Sequence, residues 1–430
     1  MQSKPNTLII GGGWSGLAAA VTLTQQGHAV HLIESAKQLG GRARNIQWKD
    51  QTVDNGQHLM IGAYDRMLAM MNTIGSDPDK IFERSPLDIT LYDTDYLPLS
   101  LSANSRLPWP LSLVWSLIDS AGIGGLYQLT KLQHSIPKIL SAEDISVSEW
   151  LLNTKQSPRF IKQLWEPLCL ATLNTPIELA SAQLMARVLK DSLGRGKAAA
   201  DSLIPRIPLG DVFPRAAAHY IEQHGGKISL NTRARSLIID NNEVCGVKTK
   251  DSRIESNNII VALSPSQSSK LLADLIPATS TIEYPICTVY LHYPPETRLI
   301  KPMIGLTGTI SQWVFDRSEQ TPGLMAVVIS APGKHEEMTN LELIQHVCAE
   351  LHDFFPDMPK TVNDSLVVRE KRATFACHVN IKQNRPQSKT HIKGLWLAGD
   401  YVENGYPASL EGAIRNGENC ALNLIKTMYN

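Results

Sequence analysis

The sequence predicts an α/β fold, in which buried strands alternate with helices, and three stretches of the chain predict it. Near the start, an apolar run at Thr7–Ile10 meets a glycine-rich turn and then an Ala- and Leu-rich helix. In the middle, residues 225–265 contain short alternating and apolar strands. Near the end, a strand at 394–398 precedes a long helix with one apolar face. This alternation is typical of an open sheet covered by helices.

The first glycine-rich turn carries a dinucleotide-binding pattern. Gly11, Gly13 and Gly16 form GxGxxG at a strand–helix junction. The first glycine allows the turn, the second lets the backbone approach a pyrophosphate, and the third packs the helix on the strand. The helix N-terminus offers free N–H groups to the phosphates. Glu34 stands 18 residues after Gly16, at the end of a second strand, where an acid binds ribose hydroxyls. We therefore expect a Rossmann-type domain.

Composition excludes several other classes of protein. The 41 basic and 41 acidic residues give a net charge of zero, which argues against a nucleic-acid partner. A hydrophobic content of 43% excludes a disordered chain and a collagen. The six cysteines are far apart, with Cys348 and Cys377 the nearest pair, so no metal site is predicted. The N-terminus is not typical of a signal peptide, and we expect a cytoplasmic protein.

A second glycine pair follows the ribose acid. Gly40, Gly41 and Arg42 would bring further amides and a guanidinium close to the phosphates, and the planar fork of arginine suits phosphate oxygens. Together with residues 8–16 and Glu34, this motif resembles the N-terminal signature of the FAD-dependent amine oxidase and phytoene desaturase superfamily. The resemblance implies FAD rather than NAD as the cofactor.

The resemblance extends to the other strands of the nucleotide domain. In that superfamily the Gly-Asp pair found here at Gly399 and Asp400 meets the ribitol or phosphate region of FAD. The following helix aims its N-terminus at the flavin ring, where its positive dipole end would stabilise an anionic reduced flavin. Ala234 takes the position of a backbone contact to adenine.

The same resemblance predicts a discontinuous domain organisation of the amine-oxidase and GDI type. Residues 1–75, 206–265 and 393–430 are expected to form the FAD-binding domain. Residues 76–205 and 266–392 are expected to form a substrate domain of mixed helices and antiparallel sheet that faces the flavin.

Three further strings narrow the resemblance. They are DNGQH at 54–58, WEPLCLATLNT at 165–175 and REKRATF at 369–375. They resemble the bacterial hydroxysqualene dehydroxylases, which replace the allylic hydroxyl of hydroxysqualene with hydride from flavin N5 and give squalene for hopanoid synthesis. The predicted FAD-binding residues are then Gly11, Gly13, Trp14, Ser15, Gly16, Glu34, Ser35, Gly41, Arg42, Ala43, Gly56, Gln57, His58, Ala234, Gly399, Asp400, Ser409, Leu410 and Ala413.

The chemistry implied by this resemblance requires a general acid, because a hydroxyl leaves poorly unless it is protonated. His58 is the first candidate, since the DNGQH loop should pass beside the flavin ring in this family. Glu166 is the second, because apolar neighbours would raise its pKa and keep it protonated. Asp54 is a third candidate. Asn174 and Gln57 are candidates for orienting the hydroxyl.

An allylic cation also requires an apolar pocket that excludes water. Trp165 and Tyr406 are candidates for stabilising this cation through their ring faces.

Two other activities share the fold implied by the resemblance. A carotenoid or phytoene desaturase would use the same flavin in the oxidative direction on a similar chain. A prenyl-chain carrier of the GDI type would bind a lipid without catalysis, but such carriers lack a complete FAD signature. An amine oxidase is disfavoured, because an amine would require a polar, acidic site.

A thirty-carbon isoprenoid substrate must be drawn from a membrane, so we expect a peripheral protein at the inner face of the cytoplasmic membrane. The stretch Trp109–Ile118, with Trp109 and Trp115, is a candidate interfacial helix. Residues 369–393 contain seven Lys and Arg and one acid, and 7 − 1 gives a net charge of +6 that suits anionic lipids. A buried helix and a solvated basic face remain the alternatives for these two stretches.

Overall fold

The computed structural model describes residues 7–103, 108–273, 275–276 and 281–429. The strands in chain order are β1 (Thr7–Ile10), β2 (Val30–Ile33), β3 (Asn45–Trp48), β4 (Gln51–Asp54), β5 (Met60–Ile61), β6 (Phe82–Ser85), β7 (Asp88–Asp93), β8 (Leu99–Ser102), β9 (Ser202–Pro205), β10 (Lys227–Ser229), β11 (Ser236–Asp240), β12 (Glu243–Lys248), β13 (Arg253–Glu255), β14 (Asn258–Val261), β15 (Glu283–His292), β16 (Met303–Thr307), β17 (Trp313–Asp316), β18 (Leu324–Ser330), β19 (Asp364–Phe375) and β20 (Leu395–Leu397). The helices are α1 (Trp14–Gln25), α2 (Asp65–Thr73), α3 (Pro78–Ile81), α4 (Trp109–Ser141), α5 (Val147–Asn153), α6 (Pro158–Phe160), α7 (Glu166–Leu173), α8 (Ala182–Ser192), α9 (Lys197–Ala200), α10 (Leu209–Val212), α11 (Pro214–Gln223), α12 (Pro265–Leu272), α13 (Asn340–Phe354), α14 (Ile381–Asn384) and α15 (Leu410–Met428). A π-helical turn covers Ile161–Trp165 and a 3₁₀ turn covers Lys334–Glu336.

A five-stranded parallel sheet forms the centre of the nucleotide-binding part. Its order is β10-β2-β1-β14-β20, so three separated stretches of the chain contribute strands. β1 lies in the middle and is buried along its whole length. The predicted α/β fold class is confirmed, and so is the order of strand, glycine turn and helix at the start of the chain. The exact domain boundaries stay a prediction.

Helices α1 and α15 pack side by side on this sheet. A Cβ added at Gly417 in α15 would lie only 2.1 Å from the carbonyl oxygen of Ser15, so a glycine is required for the two helices to approach. Each helix follows a parallel strand, and both therefore begin at the carboxyl edge of the sheet. In open α/β sheets this edge is where ligands bind.

A seven-stranded sheet faces that edge. Its order is β19-β15-β18-β17-β16-β7-β8, and its neighbours are antiparallel except for β16 and β7. Because successive strand residues point to opposite faces, one face packs on α13 through residues such as Val327 and Val347. The other face carries Met303, Trp313 and Val328, which line a large cavity.

Helix α4 contains the stretch that the sequence suggested for a membrane surface. Gly122 has φ +70° and divides the helix into two parts. Trp109 and Leu113 pack inward, whereas Leu111 is 55% exposed and Trp115 is 65% exposed. Within the described ranges, no helix is long and apolar enough to cross a bilayer.

Candidate active site

A cavity of about 1820 Å³ lies between the carboxyl edge of the parallel sheet and the seven-stranded sheet. Pockets for a single small molecule usually measure roughly 300–1,000 Å³, so this cavity has room for two ligands at once. Of the predicted cofactor-binding residues, all except Gly16 line it.

The first glycine turn explains why Gly16 is not in the lining. A Cβ at Gly16 would lie 2.0 Å from the carbonyl oxygen of Gly11, so this glycine packs α1 against the turn. Gly11 has φ +113°, a conformation that a side chain strongly disfavours. No side chain caps α1, and the buried hydroxyl of Ser15 has no hydrogen-bond partner among the described residues. Its first turn therefore presents unpaired donors of the kind that bind a phosphate.

The second glycine turn lies directly against the first. Gly40 N donates to the carbonyl oxygen of Gly12 at 2.9 Å, and the indole nitrogen of Trp14 donates to the carbonyl oxygen of Ala43 at 3.1 Å. Gly41 has φ +60°, and a Cβ there would lie 3.1 Å from Gly13 Cα. The two backbones thus meet at Gly41 with little room for a side chain, and both turns line the cavity.

The predicted ribose acid is held at the end of β2. Oε2 of Glu34 accepts from Gly12 N at 2.7 Å, and Oε1 accepts from Ala36 N at 2.7 Å and from the Ser35 hydroxyl at 3.2 Å. These bonds fix the orientation of the carboxylate. Oε1 is thus fully engaged, whereas Oε2 keeps a second lone pair that can accept from a ribose hydroxyl.

An ion pair joins the second glycine turn to the last strand of the sheet. Arg42 donates to Asp400 Oδ1 at 2.5 Å and to the carbonyl oxygen of Ala373 at 2.9 Å. Burial lowers the pKa of Arg42, but the adjacent Asp400 carboxylate more than offsets this, so the pKa lies above its usual range. The two residues were predicted from separate motifs, and the structure brings them together in the cavity wall.

The start of α15 also faces the cavity. Ser409 caps this helix by accepting from Gly412 N at 3.1 Å, and Leu410 and Ala413 line the cavity beside it. Ala234, Gly399 and the loop at 406–408 complete this lining. The donors and glycines described above fit a dinucleotide with its pyrophosphate at the two turns.

His58 lies in the loop after β4 and is half-buried in the cavity wall. Its Nδ1 is 2.7 Å from the carbonyl oxygen of Gly56, which can only accept, so Nδ1 carries a hydrogen. Nε2 is therefore the nitrogen that gains or loses a proton. Burial lowers the pKa of His58, and the bond to Gly56 opposes this only in part. Gly56 and Gln57 line the cavity beside it.

Asp54 is absent from the cavity lining, so its candidacy as the acid is wrong. It is buried behind the His58 loop, where it accepts from Leu209 N at 2.7 Å. Burial raises the pKa of Asp54 to about 6, although the hydrogen bond to Leu209 and the nearby Arg317 act in the opposite direction.

The expected apolar burial of Glu166 is also wrong. Helix α7 turns Leu168, Ala171 and Thr172 toward the cavity. Glu166 precedes Leu168 by two residues and therefore points about 200° away, to the exposed side. Partial burial and the nearby Glu178 raise the pKa of Glu166, but the carboxyl has no contact with the cavity. Trp165 is buried outside the cavity, where its indole donates to Gln156 at 2.9 Å.

Asn174 lines the cavity, but its amide is already engaged. Nδ2 donates to the Thr374 hydroxyl at 2.8 Å and to the carbonyl oxygen of Pro285 at 3.2 Å, and Oδ1 accepts from Ala331 N at 2.6 Å. The residue has φ +47° at the end of α7, which asparagine tolerates well. It joins β15, β19 and the residue after β18 to the end of α7, which indicates a positioning role.

One end of the cavity is almost entirely apolar. Its walls come from α7, α8 and the inner face of the seven-stranded sheet. These residues, which we call the apolar arm, are Leu87, Ile89, Leu101, Leu168, Ala171, Met185, Val188, Leu189, Leu193, Ile286, Met303, Trp313, Phe315 and Val328.

The sequence did not point to Asp191, which lines the cavity at the end of α8. The Tyr406 hydroxyl donates to Asp191 Oδ2 at 2.8 Å. Burial, and then this hydrogen bond, raise the pKa of Tyr406 to about 12. The guanidinium of Arg415 lies 4.6 Å from the centre of the Tyr406 ring, so one face of the ring already meets a cation.

Flavin-dependent oxidoreductases and their relatives are similar to this chain over almost its whole length. Residues 14–425 match the family profile described as flavin containing amine oxidoreductase. A hydroxysqualene dehydroxylase of Zymomonas mobilis is 27% identical over 432 residues, which cover 96% of this chain and 98% of the relative. A 15-cis-phytoene desaturase of Glycine max is 23% identical, over 98% of this chain and 80% of the relative.

Solved structures show the same fold. The crystal structure of an oxidoreductase from Methanosarcina mazei superposes with a TM-score of 0.74, covering 99% of this chain and 100% of that protein. The two sequences are 16% identical, so the likeness concerns the fold alone.

Proposed function

Because the chain belongs to the flavin containing amine oxidoreductase family, we propose that it removes the allylic hydroxyl of hydroxysqualene reductively and gives squalene. The enzyme is an FAD-dependent oxidoreductase, and the substrate and the direction of the reaction are what we add. The observation that carries the proposal is the apolar arm, which opens from the same cavity as the two glycine turns. Similarity to named hydroxysqualene dehydroxylases supports it further.

FAD fits the polar end of the cavity. The amides of the two glycine turns and the Arg42 guanidinium would hold the pyrophosphate, Glu34 the ribose, and the backbone at Ala234 the adenine. The loop at 56–58 and the start of α15 would lie along the flavin. Bound FAD supplies hydride transfer when it is reduced. The remaining steps depend on residues of the chain.

The apolar arm suits a long isoprenoid in size and in chemistry. Its wall contains branched and aromatic side chains from two helices and one sheet, and a hydrocarbon gains about 25 cal/mol for each Å² that it buries there. An apolar wall offers water few hydrogen-bond partners, and an allylic cation requires such a water-poor site because water would otherwise return a hydroxyl to the carbon.

His58 supplies the proton in this proposal. The C–O bond breaks with its electron pair on oxygen, the oxygen takes a proton from Nε2 of His58, and the group leaves as water. The bond from Nδ1 to Gly56 holds the ring with Nε2 as the titrating nitrogen. Since burial lowers the pKa of His58, its protonated form is a stronger acid than an exposed histidine.

Two other functions are alternatives to dehydroxylation, and the product assay described next distinguishes them. Similarity to phytoene desaturases favours oxidative desaturation of an isoprenoid. A prenyl-chain carrier of the GDI type would bind the chain in the apolar arm without converting it.

The proposed reaction predicts a defined product. Anaerobic incubation of the flavin-loaded protein with reduced FAD and hydroxysqualene should yield squalene, which gas chromatography with mass spectrometry identifies. Recovery of unchanged alcohol from folded, flavin-loaded protein would contradict dehydroxylation. Conversion of phytoene under oxidising conditions would then support the desaturase, and binding without any conversion would support the carrier.

A second prediction concerns pH and His58. Since the acid must be protonated and its pKa lies below 6.5, kcat/KM should rise as the pH falls below that value. His58→Gln should remove this dependence and lower kcat by about a hundredfold, the effect of losing a general acid. FAD affinity, measured by fluorescence titration, should change far less.

Asp54→Asn is the matched control for this experiment. Asp54 titrates at about pH 6 close to the same loop, so the variant removes the other source of a pH dependence in that range. The control should keep the rise of kcat/KM at low pH. A profile that survives in His58→Gln and disappears in Asp54→Asn would remove His58 from the mechanism.

The proposal extends to a membrane, from which such a substrate must be taken. The first part of α4 separates the cavity wall from solvent, because Trp109 and Leu113 pack near Leu193. The opposite side exposes Leu111 and Trp115, an arrangement typical of interfacial helices. We therefore assign the chain to the inner face of the cytoplasmic membrane, with α4 as its contact.

Trp115→Glu should weaken this contact. Co-sedimentation with vesicles of anionic phospholipid should fall about tenfold, as expected when one large side chain no longer inserts. Conversion of detergent-dispersed substrate should be unchanged. Leu341→Glu is the control, because Leu341 is equally exposed but lies on α13. Equal sedimentation of Trp115→Glu and wild type would contradict α4 as the membrane contact.

A further inference from the structure

A network of charges around Tyr406 has no role in the reaction as described so far. The Tyr406 hydroxyl donates to Asp191 at 2.8 Å, and Arg415 lies over the ring. Arg415 also pairs with Glu411 at 2.6 Å and with Asp65 at 3.0 Å. The network joins α8 to α15 and to the start of α2, which are far apart in the sequence.

The two signs of charge are arranged unequally with respect to the cavity. Asp191 and Glu411 belong to the cavity lining. The neighbouring cations Arg187, Arg195 and Arg415 do not. Of the charged groups in this network, Asp191 and Glu411 thus line the cavity, whereas these three cations and Asp65 lie behind its wall.

Glu411 is occupied by other parts of the protein. Its carboxylate accepts from Arg66 N at 3.1 Å and from Met67 N at 2.9 Å, in addition to the bond from Arg415. Those bonds attach α15 to the first turn of α2. Asp191 accepts from the Tyr406 hydroxyl through Oδ2, and it remains as the carboxylate that can act on a ligand.

Asp191 stands at the end of an apolar wall. Met185, Val188 and Leu189 precede it along the cavity side of α8 and belong to the apolar arm. A carboxylate beside such a surface loses part of its hydration, which is unfavourable unless a partner compensates. The Tyr406 hydroxyl and the nearby positive charge of Arg195 compensate in part, and a positive charge in the arm would add to this from the cavity side.

We infer that Asp191 is a catalytic residue that faces the allylic cation of the proposed reaction, with Tyr406 fixing the direction of its carboxylate. The inference rests on the proposed function. When the C–O bond breaks and water leaves with the proton of His58, the carbon chain keeps one positive charge until hydride reaches it. A fixed carboxylate in a water-poor pocket stabilises that charge without reorganisation.

Binding of a cation analogue tests this without turnover. The probes are a squalene-length isoprenoid amine, which is protonated at neutral pH, and its uncharged ether of the same length. The flavin-loaded wild type should bind the amine at least about tenfold more tightly than the ether, and Asp191→Asn should lose this preference. Asp191→Asn keeps an oxygen for the Tyr406 hydroxyl, so charge is the property that changes.

Asp65→Asn is the matched control, because Asp65 belongs to the same network but does not line the cavity. It should keep the preference for the amine. An undiminished preference in Asp191→Asn, or an equal loss in both variants, would overturn the inference.

Turnover gives the second readout. With hydroxysqualene, Asp191→Asn should lower kcat at least about tenfold and leave KM nearly unchanged, because the charge acts on the transition state. Equal kcat in wild type and Asp191→Asn would overturn the inference while the proposed function stands. A different pair of results would overturn the proposed function instead. In that case the wild type converts no hydroxysqualene, although it prefers the amine and Asp191→Asn does not.

Discussion

The contact between the backbones of Gly13 and Gly41 is the constraint on which the rest of the site depends. Gly41 has φ +60°, and a Cβ there would lie 3.1 Å from Gly13 Cα, so this close approach of the two turns favours a glycine at position 41. Their contact places the first turn of α1, the ribose acid Glu34 and the guanidinium of Arg42 along one cavity. From Arg42 the arrangement continues to Asp400, which fixes the end of β20 and hence the start of α15. Both ends of the chain thereby contribute to one cofactor site.

Beyond this contact, the cavity has a polar end and an apolar end. The end beside the glycine turns is polar and contains backbone donors, as a pyrophosphate requires. The other end is apolar and gains its wall from α7, α8 and the seven-stranded sheet. Asn174 ties the end of α7 to the seven-stranded sheet through hydrogen bonds to Pro285, Thr374 and Ala331. His58 and Asp191 add a titratable group and a charge to the wall of a cavity in which the FAD site adjoins the apolar arm.

The sequence predicted the site residues whose positions follow from local spacing. It missed those whose positions depend on packing between distant parts of the chain. The glycine turns and Glu34 could be recognised because each lies at a fixed spacing within one strand–turn–helix unit. The orientation of Glu166 could not, because it depends on the rotation of α7 after the π-helical turn at 161–165. That turn arises where Pro167 has no N–H for an ordinary helical bond. Asp191 was missed because its partner Tyr406 is 215 residues away and no local pattern links them.

FAD retention in Gly41→Ala tests most directly whether the contact of the two glycine turns creates the cofactor site. The variant and Gly75→Ala are purified alike, and bound FAD per chain is measured by visible absorbance. Gly75 has φ +76° and no atom within 4 Å of an added Cβ, so it reproduces the backbone strain without the contact. Gly41→Ala should lose most of its FAD while Gly75→Ala keeps it. Stoichiometric FAD in a folded Gly41→Ala would show that the contact does not create the site.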